Sequence, residues 1–366
     1  MTTGPVRAAV IRQPGRFDIE SVTLDTPRSD EIRVRVLASG LCHTDHHVML
    51  GRIPVPFPVV AGHEAAGIVE QIGEEVRDIA VGDLVVTCAS VFCGVCAQCQ
   101  AGHNHRCDTP PGRADWRADP RLRDAAGDPL YQLARLGGFA EAMVVHHRSV
   151  VKLPPDMPPV PAALLGCAVL TGYGAVTSAA SVRPGSSAAV IGCGGVGLNV
   201  IQSAAIAGAT RIIAIDRDGT KLEQARLFGA TDLVQSHAGL PVAIRDLSDG
   251  GIGIDYAFDV VGTPETLRDA CHMLKKGGTA VLVGAAQPEG ELAIPLCSIL
   301  FREIKLTGSL MGSTSFQLAM PRLIDFYRQG RLKLDELVSE RISLDRINEG
   351  YARLNQGLAT RIVIEF

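Results

Sequence analysis

The sequence predicts an α/β protein of two domains, a β-rich domain and a doubly wound parallel sheet. A length of 366 residues, 46% of them hydrophobic, is enough for two cores of ordinary size. Over about the first 165 residues, short Val/Ile runs such as IRVRVL and PFPVVAGHE alternate with Gly and Pro, a pattern typical of antiparallel strands. From about Val169 the pattern becomes apolar strand, Gly-rich turn and helix (SAAVIG, RIIAID, DYAFDVV, TAVLVG), which is typical of βαβ units.

The domain boundaries follow from these changes of pattern. After about Leu310 the pattern turns helical and then ends in the strand-like RIVIEF. We therefore expect residues 1–168 in the β-rich domain, 169–310 in the parallel-sheet domain, and 311–366 back in the first domain. Residues 108–136 are charged, lack periodicity and contain Trp116, so we expect a long loop there.

Composition limits the kinds of binding partner that we expect and the cellular compartment in which we expect the protein. A net charge of -4, without a run of like charges, argues against a nucleic-acid or membrane-surface partner and favours a small molecule. The sequence shows no apolar signal region at its N-terminus and no 18 uninterrupted apolar residues, so we expect a cytoplasmic protein. The ten cysteines then favour metal thiolates over a disulfide framework, which is typical of small secreted domains.

A glycine motif predicts a dinucleotide site in the second domain. A predicted strand ending at Ile191 leads into a G-x-G-x-x-G motif and then a helical segment. In this context the first glycine permits a tight turn, the second lets a pyrophosphate approach the backbone, and the third lets helix and strand pack closely. The motif residues are Gly192, Cys193, Gly194, Gly195, Val196 and Gly197.

An acidic residue after the next strand indicates which dinucleotide binds. Asp216 ends RIIAID, 19 residues after Gly197. An acid there bonds the ribose hydroxyls of NAD and repels the 2′-phosphate of NADP. The adjacent Arg217 could still accommodate a phosphate, but the acid favours NAD.

Four closely spaced cysteines predict a closed metal site. Cys93, Cys96, Cys99 and Cys107 form C-x2-C-x2-C-x7-C in a glycine-bearing segment. Four thiolates complete a tetrahedral Zn²⁺ site and leave no open position, so the site is structural. An iron-sulfur cluster or two disulfides are the alternatives.

Three further residues are candidates for a catalytic zinc, which needs three protein ligands and an open position. Cys42, His63 and Cys167 each lie beside glycine, but their wide spacing does not by itself establish a site. The remaining cysteines lie in apolar stretches and are expected to be buried, small apolar side chains: Cys88, Cys193, Cys271 and Cys297.

Several motifs resemble, in order, those of the zinc-containing medium-chain alcohol dehydrogenases. They are GLCHTDHH, AGHEAAGIVEQIG, the four-cysteine segment, GCAVLTGYGAV, GCGGVGLN and INEGYARLNQGLATRIVIEF, which together extend over nearly the whole chain. The resemblance implies a GroES-like catalytic domain in two segments with a Rossmann domain inserted between them. It makes Cys42, His63 and Cys167 the catalytic zinc ligands, and residues 88–108 the lobe of a second, structural zinc.

The resemblance also assigns roles by position. Asp45 would orient His63, and Glu64 would lie behind the zinc. Thr44 would bond the substrate oxygen, and a proton would leave through the nicotinamide ribose to His47 while hydride passes to NAD. His43 and Arg361 would contact the pyrophosphate of the cofactor. Thr171 and Val196 would lie beside the nicotinamide, and Lys221 would lie near the adenosine ribose. Family members are commonly dimers or tetramers, so we expect a homo-oligomer.

The sequence departs from the family pattern at two positions. His43 replaces an arginine found in many members, so cofactor release is expected to depend more on pH. Ala89 replaces a bulky aromatic residue, which implies a wider pocket and favours medium-length, terpenoid or aromatic primary alcohols over ethanol. The apolar Ile53, Pro54 and Phe57 favour the same substrates. Five histidines are expected on the solvated surface: His46, His103, His105, His146 and His147.

Three other functions stay open at this point. An S-hydroxymethyl-thiol dehydrogenase would need a cationic pocket, for which the loop offers Arg113, Arg117, Arg121 and Arg123. A zinc-free quinone or enone reductase is disfavoured because all seven zinc ligands are present. An NAD-binding zinc redox sensor without turnover is disfavoured because Thr44 and His47, the relay residues, are present.

Overall fold

The computed structural model describes residues 4–113, 115–286 and 289–366, which divide into two compact units. The first unit takes the chain up to Cys167 together with Ser315–Pro321 and Leu334–Phe366, and the second takes Ala168–Thr314 and Arg322–Lys333. Residues 311–314 and 322–333, which we expected in the returning segment, thus belong to the second unit. There the backbone amide of Lys333 donates to Gln202 Oε1 at 2.8 Å, and the rings of Phe326 and Tyr173 lie 6.3 Å apart.

The strands are numbered in chain order. They are β1 Val6–Ile11, β2 Asp18–Leu24, β3 Glu31–Gly40, β4 Val59–Val60, β5 Glu64–Ile72, β6 Leu84–Thr87, β7 Leu122–Arg123, β8 Pro129–Gln132, β9 Ala142–His146, β10 Val150–Lys152, β11 Ser187–Ile191, β12 Arg211–Asp216, β13 Asp232–Gln235, β14 Ile254–Asp259, β15 Leu274–Leu282, β16 Lys305–Gly308, β17 Val338–Ile342 and β18 Arg361–Glu365.

The helices are numbered in the same way. They are α1 His43–Met49, α2 Ala97–Gln100, α3 Pro159–Ala163, α4 Ala168–Gly174, α5 Gly195–Ile206, α6 Gly219–Leu227, α7 Leu240–Leu247, α8 Pro264–Met273, α9 Leu296–Arg302, α10 Phe316–Arg328 and α11 Ile347–Asn355. A π-helical turn, Ala175–Ala179, continues α4. Short 3₁₀ turns lie at Asn104–Arg106, Leu133–Arg135, His147–Ser149, Leu164–Gly166, Asp249–Gly251, Met311–Ser313, Asp335–Leu337 and Leu344–Arg346.

The first unit is built from two groups of mostly antiparallel strands. Strands β1, β2, β7, β8 and β4 pair in that order, and β4 pairs back with β1. The second group has the order β10-β6-β5-β3-β18-β17, with β9 also paired to β3. Its apolar core includes the stacked rings of Phe17 and Tyr351, whose centroids are 5.3 Å apart. This is the predicted GroES-like, β-rich domain.

The second unit contains a six-stranded sheet. Its order is β13-β12-β11-β14-β15-β16, and each pair is parallel. This order, with crossover helices between strands, is that of a Rossmann fold and confirms the predicted doubly wound sheet. The inner strands β11 and β12 are largely buried, as expected for a parallel sheet packed on both faces, whereas the edge strands β13 and β16 are partly or mostly exposed.

The segment 108–136 differs from the long loop that we expected. It contains β7 and β8, which pair with each other, and Leu122 and Leu130 are 1% exposed. The ring of Trp116 meets that of Tyr131 edge to face at 5.3 Å. These strands are only two and four residues long, which is too short to show an alternating pattern in a charged segment. The sequence therefore did not indicate them.

Among the described residues, no single helix is long and apolar enough to cross a membrane. The bent pair Pro159–Gly166 and Ala168–Ala179 reaches that length and composition only when its two helices are taken together.

Candidate functional site

A buried cluster in the first unit brings together the three predicted catalytic-zinc ligands. Cys42 precedes α1, His63 and Glu64 lie where β5 begins, and Cys167 follows the turn Leu164–Gly166. One ligand atom from each lies within 4.8 Å of the others, and all four side chains are buried. Two sulfurs, an imidazole nitrogen and a carboxylate form a donor set that suits Zn²⁺.

Asp45 orients His63 within this cluster. Asp45 is completely buried, and its Oδ1 lies 3.1 Å from His63 Nδ1 and accepts the Gly62 amide at 2.8 Å. With Nδ1–H donated to the carboxylate, Nε2 is left as a metal ligand. Burial opposes a charge on His63, but Asp45 and Cys42 raise the pKa of His63 well above its ordinary value. The negative groups around His63 therefore stabilise a positive charge at this position.

The two cysteines of the cluster shift each other's pKa in opposite directions. The Cys167 thiol bonds to the Cys42 sulfur, which lowers the pKa of Cys42 well below its ordinary value and raises that of Cys167. The positive charges of His63 and Arg361 further favour the Cys42 thiolate. A buried thiolate of this kind is prepared for a metal ion.

Glu64 is held from behind by Arg361. Arg361 Nη1 donates to Glu64 Oε1 at 3.1 Å and to the Leu41 carbonyl at 3.0 Å. Burial raises the pKa of Glu64 to about 7, against the effect of Arg361. Glu64 Oε2 has no hydrogen-bond partner among the described residues, which fits a carboxylate facing a cation. A Cβ at Gly40 would lie 2.6 Å from this atom, so only glycine fits there.

Helix α1 carries the predicted relay residues. Thr44 and His47 are half-buried, and His43 at the start of the helix is exposed. His47 Nδ1 is buried and has no partner among the described residues. Burial and the neighbouring Arg52 lower the pKa of His47, so its ring is neutral at pH 7 and can accept a proton.

Two of the histidines that we expected on the surface are buried. His46 stacks on Tyr351 with ring centroids 5.6 Å apart, and its Nε2 lies 2.7 Å from Asn355 Nδ2. His146 accepts the Arg148 amide at 3.0 Å and lies 3.3 Å from Asp30. The expectation that these two histidines lie on the surface was therefore wrong. Tyr351, Asn355 and Asp30, which they contact, are distant from them in sequence.

The four predicted structural-zinc cysteines also lie together. Their sulfurs are within 4.8 Å of one another, at the N-terminus of α2, inside it and in the segments around it: Cys93, Cys96, Cys99 and Cys107. None of the ten cysteines of the chain forms a disulfide. This spacing and donor set suit a tetrahedral Zn²⁺.

Hydrogen bonds to sulfur prepare this second cluster for a cation. The Thr109 hydroxyl and the Val95 and Cys96 amides donate to the Cys93 sulfur, which lowers the pKa of Cys93 to about 5. Burial, by contrast, raises the pKa of Cys99 to about 12. The four thiols therefore cannot all ionise without a cation.

The other cysteines follow the expectation with one exception. Cys88, Cys193 and Cys271 are buried. Cys297 is exposed, so the expectation was wrong for it. It lies on α9, whose apolar residues are themselves solvent-exposed.

The glycine motif lies between β11 and the N-terminus of α5 in the second unit. Gly192 has a φ of +96°, and a Cβ on Gly197 would lie 1.8 Å from the Gly192 carbonyl oxygen. Gly194 caps the helix and has open space beside it. This geometry leaves the backbone amides of Gly195 and Val196 at a helix N-terminus, where a phosphate can approach.

Asp216 lies at the end of β12, next to this turn. Its Oδ2 accepts the Cys193 amide at 2.7 Å, and its Oδ1 accepts the Asp218 amide at 3.0 Å. Arg217 beside it is exposed, and Lys221 on α6 is half-buried. The carboxylate is thus fixed beside the glycine turn.

Thr171 lies on α4, which packs against α5 in the same unit. A Cβ on Gly172 would lie 2.6 Å from the Asn199 side chain, so the two helices approach closely there. Val196 is in the first turn of α5. Their predicted place beside the nicotinamide stays a prediction, as does the pyrophosphate contact of His43 and Arg361.

The structure also shows residues that the sequence did not single out. The Tyr351 hydroxyl donates to the Cys42 carbonyl at 3.3 Å, across 309 positions of sequence. Glu31, 2% exposed, binds Arg121 Nε at 2.7 Å and Arg113 Nη2 at 2.9 Å. Two of the four arginines expected to offer a cationic pocket are therefore paired inside the protein.

The comparisons with known proteins agree with this geometry. Residues 28–155 match the alcohol dehydrogenase GroES-like domain family, and residues 195–328 match the zinc-binding dehydrogenase family. An NDMA-dependent alcohol dehydrogenase of Amycolatopsis methanolica is 37% identical over 98% of each chain. An alcohol dehydrogenase class-3 of Pisum sativum is 36% identical over 98% of this chain and 97% of its own.

A solved structure of an alcohol dehydrogenase also has this fold. The benzyl alcohol dehydrogenase from Acinetobacter calcoaceticus superposes with a TM-score of 0.92, at 33% identity and 99% coverage of each chain. Both domain types, both cysteine-containing clusters and near full-length relatives thus agree. The chain belongs to the zinc-containing medium-chain alcohol dehydrogenases and is an oxidoreductase that acts on alcohols.

Proposed function

We propose that the protein transfers hydride between NAD and primary alcohols with an apolar, terpenoid or aromatic body, interconverting alcohol and aldehyde. The observation that carries this proposal is the buried cluster of Cys42, His63, Glu64 and Cys167, whose ligand atoms lie within 4.8 Å. It combines the donor set of a catalytic zinc with a carboxylate-oriented histidine.

Two zinc ions per chain are part of the proposal. Cys42, His63 and Cys167 would hold the catalytic ion, and the four-cysteine cluster the structural one. When bound, the catalytic zinc supplies a Lewis acid that lowers the pKa of an alcohol. Asp45 keeps the free nitrogen of His63 directed to the cluster, and Arg361 holds Glu64 behind it.

Two residues of helix α1 would carry the proton of the alcohol toward solvent. Thr44 and His47 are three residues apart on a helix, so their side chains share one face. We expect the Thr44 hydroxyl to bond the substrate oxygen and the neutral His47 ring to take the released proton. His47 is half-buried, so it can pass the proton to solvent.

NAD is proposed over NADP because of Asp216. Its two carboxylate oxygens accept backbone amides of the turn, which fixes a negative charge where a 2′-phosphate would lie. Gly192, Gly194, Gly195, Val196 and Gly197 would form the pyrophosphate site. One relative is named for a dependence on NDMA, so an assay needs to test whether free NAD alone supports turnover.

The proposed substrate class rests on two observations. A relative of the same fold is named a benzyl alcohol dehydrogenase, and Ala89 is a small, half-buried residue beside the core of the first unit. Ile53 and Phe57 pack partly against another core cluster of that unit. A small side chain at Ala89 leaves room for a ring or a long chain.

A thiol-adduct dehydrogenase is less well supported than an alcohol dehydrogenase. Arg113 and Arg121 are bound to buried Glu31, and Arg117 lies over the Trp116 ring with 4.5 Å between its guanidinium carbon and the ring centroid. Arg123 donates to the Gly127 carbonyl. Each of these four arginines thus has an intramolecular contact, which weakens the argument that together they form a pocket for a thiol adduct.

We propose that the protein is a homo-oligomer whose interface lies on the second unit. Strand β16 is an open edge of the parallel sheet, and the nearby apolar side chains are exposed: Leu296, Ile299, Leu300, Phe301, Leu306 and Leu310. An open edge beside exposed apolar side chains favours pairing with a second copy. Light scattering on the Phe301→Glu variant tests this: a smaller particle than wild type is expected, and an unchanged particle would contradict the proposed surface.

The first test is an NAD reduction assay on purified, metal-quantified protein. The substrates are ethanol, hexanol, geraniol, benzyl alcohol and an S-hydroxymethyl thiol adduct, each with NAD alone and with NDMA added. We expect an apolar or aromatic alcohol to react best, about two zinc ions per chain, and loss of activity in Cys42→Ala. Turnover of the thiol adduct alone would overturn the substrate proposal, and no turnover at all would favour the redox sensor.

A further inference from the structure

A cavity separate from the candidate metal cluster lies in the first unit, beside the hairpin of β7 and β8. Its volume is about 220 Å³, and none of its lining residues belongs to the Cys42–His63–Glu64–Cys167 cluster. We propose that this cavity binds a small organic carboxylate, whose charge meets Arg121 and Arg135 and whose apolar body meets Trp116 and Leu130. The proposal does not rest on the proposed alcohol chemistry.

The guanidinium of Arg121 is the main observation. Its side chain is 6% exposed, its Nε donates to Glu31 at 2.7 Å, and its Nη1 lies 3.4 Å from Gln132 Oε1. Nη2 is buried and has no hydrogen-bond partner among the described residues. A buried charged donor without an acceptor is costly, so a protein normally supplies one or binds one.

The neighbouring carboxylates are already engaged with other cations. Both oxygens of Glu31 are bound by Arg113 and Arg121. Asp119, which also lines the cavity, pairs with Arg28 and with Arg113 Nη1 at 3.4 Å. None of these carboxylates is positioned to accept from Arg121 Nη2, so the acceptor would have to come from outside the protein.

Arg135 adds a second positive charge to the lining. It forms no ion pair with a described residue, and it is half-buried. Ala134 and Arg135 have φ angles of 53° and 63°, a left-handed conformation that non-glycine residues rarely adopt. Such a turn persists only where the surroundings hold it, and it places the Arg135 side chain beside Gly112.

Three of the other lining residues are apolar or aromatic, and they lie beside the polar Gln132 and the ion-paired Arg113 and Asp119. Trp116 and Tyr131 meet edge to face, and Leu130 is 1% exposed. A cavity of this size is smaller than a typical drug-sized pocket, so it suits a compact ligand. A lining that combines arginines with aromatic side chains suits a carboxylate on a small ring or branched chain.

The chain contains a built-in reporter for this cavity. Trp116 is its only tryptophan, so intrinsic tryptophan fluorescence observes the cavity wall directly. We would titrate zinc-loaded protein with benzoate and, separately, with its neutral analogue benzamide. A saturable fluorescence change with benzoate, and a much weaker one with benzamide, is the expected result.

Variants test which charges are used. Arg135→Gln is expected to weaken benzoate binding about tenfold, since one charge-assisted hydrogen bond is lost. Arg123→Gln is the matched control, because Arg123 is an exposed arginine of the same hairpin whose side chain bonds the Gly127 carbonyl, and it is expected to bind like wild type. Arg121→Lys keeps the buried charge but loses Nη2, and it is expected to weaken binding at least as much.

Three results would overturn the proposal. Equal binding of benzamide would show that charge is not recognised, and absence of any saturable change would show that the cavity does not bind the carboxylate. Unchanged binding in Arg135→Gln would place the ligand elsewhere, whether or not Arg121→Lys folds. Cys42→Ala separates this site from the proposed metal centre: binding that persists supports a separate cavity, and binding that disappears assigns the signal to the metal cluster.

Discussion

Nη1 of Arg361 donates a 3.1 Å hydrogen bond to Oε1 of Glu64, although 297 residues separate the two in sequence. Their side chains are 5% and 0% exposed. Glu64 begins β5 and Arg361 begins β18, so the last strand of the chain supports the carboxylate of the candidate metal centre. Removing either partner would leave a buried charge without its counterion.

Arg361→Ala is therefore expected to lower the free energy of unfolding by about 3–5 kcal/mol, as for other broken buried ion pairs. Denaturant unfolding of zinc-loaded protein measures this. The control is Arg341→Ala, whose exposed guanidinium lies 3.7 Å from exposed Glu365 and which is expected to change stability by less than about 1 kcal/mol. Equal effects of the two substitutions would contradict a special role for the buried pair.

Asp45→Asn is expected to reduce zinc affinity at the catalytic cluster by about 10–100-fold, because the amide no longer fixes the orientation of His63. Chelator competition measures the affinity. The structure offers a matched control in Asp78, whose Oδ1 also lies 3.1 Å from a histidine Nδ1, that of His147, but at the surface. Asp78→Asn should leave zinc affinity unchanged, and a loss equal to that of Asp45→Asn would argue against the orienting role.

Cys107→Ala is expected to lower the zinc content from about two ions per chain to about one, because three thiolates no longer close the structural site. Metal analysis of the purified protein measures this. Cys297→Ala is the control, since Cys297 is exposed and lies in neither cluster. A full zinc content in Cys107→Ala would show that the four-cysteine cluster is not a zinc site.

Short sequence motifs were sufficient to predict the sites whose residues lie close together in the sequence. The turn Gly192–Gly197 and the four cysteines each lie within 15 positions of sequence, and backbone geometry alone brings their atoms together. The catalytic trio needed the family resemblance, because Cys42 and Cys167 approach only through the folding of the whole first unit.

Long-range pairs could not be inferred in the same way. Glu31 binds Arg121 across 90 positions, and nothing near Arg121 in the sequence separates a buried ion pair from a solvated charged loop. His46 looked like a surface residue because helix α1 is only seven residues long, too short for a clear apolar face. Its partners, Tyr351 and Asn355, belong to the last helix of the chain.

Glu31 is expected to contribute to acid sensitivity. Burial opposes its ionisation, but Arg113 and Arg121 hold the pKa of Glu31 at about 2, below its ordinary 4.5. The unfolded chain therefore binds this proton first as pH falls, so the stabilisation is complete well above pH 4.5 and is lost toward about pH 2. The full effect is about 3 kcal/mol.

The measurement is denaturant unfolding of wild type and Glu31→Gln between about pH 6 and about pH 4, where this loss begins. Glu31→Gln should be less stable at neutral pH, because Arg121 loses its counterion and Arg113 loses one of three, and its stability should fall less steeply with acid. Parallel curves for the two proteins would mean that Glu31 titrates normally.

Asp216→Ala is expected to reduce the preference for NAD over NADP by about 10–100-fold, since the charge that repels a 2′-phosphate is removed and Arg217 remains beside the site. The ratio of kcat/KM for the two cofactors measures this preference. The carboxylate also accepts the Cys193 and Asp218 amides, so some loss of activity with both cofactors is expected. Asp218→Asn is the control: Asp218 caps α6 by accepting the Thr220 amide at 2.8 Å, and asparagine preserves that cap. If both substitutions moved the ratio equally, discrimination would depend on the net charge of the loop, and Asp216 would have no specific role in reading the ribose.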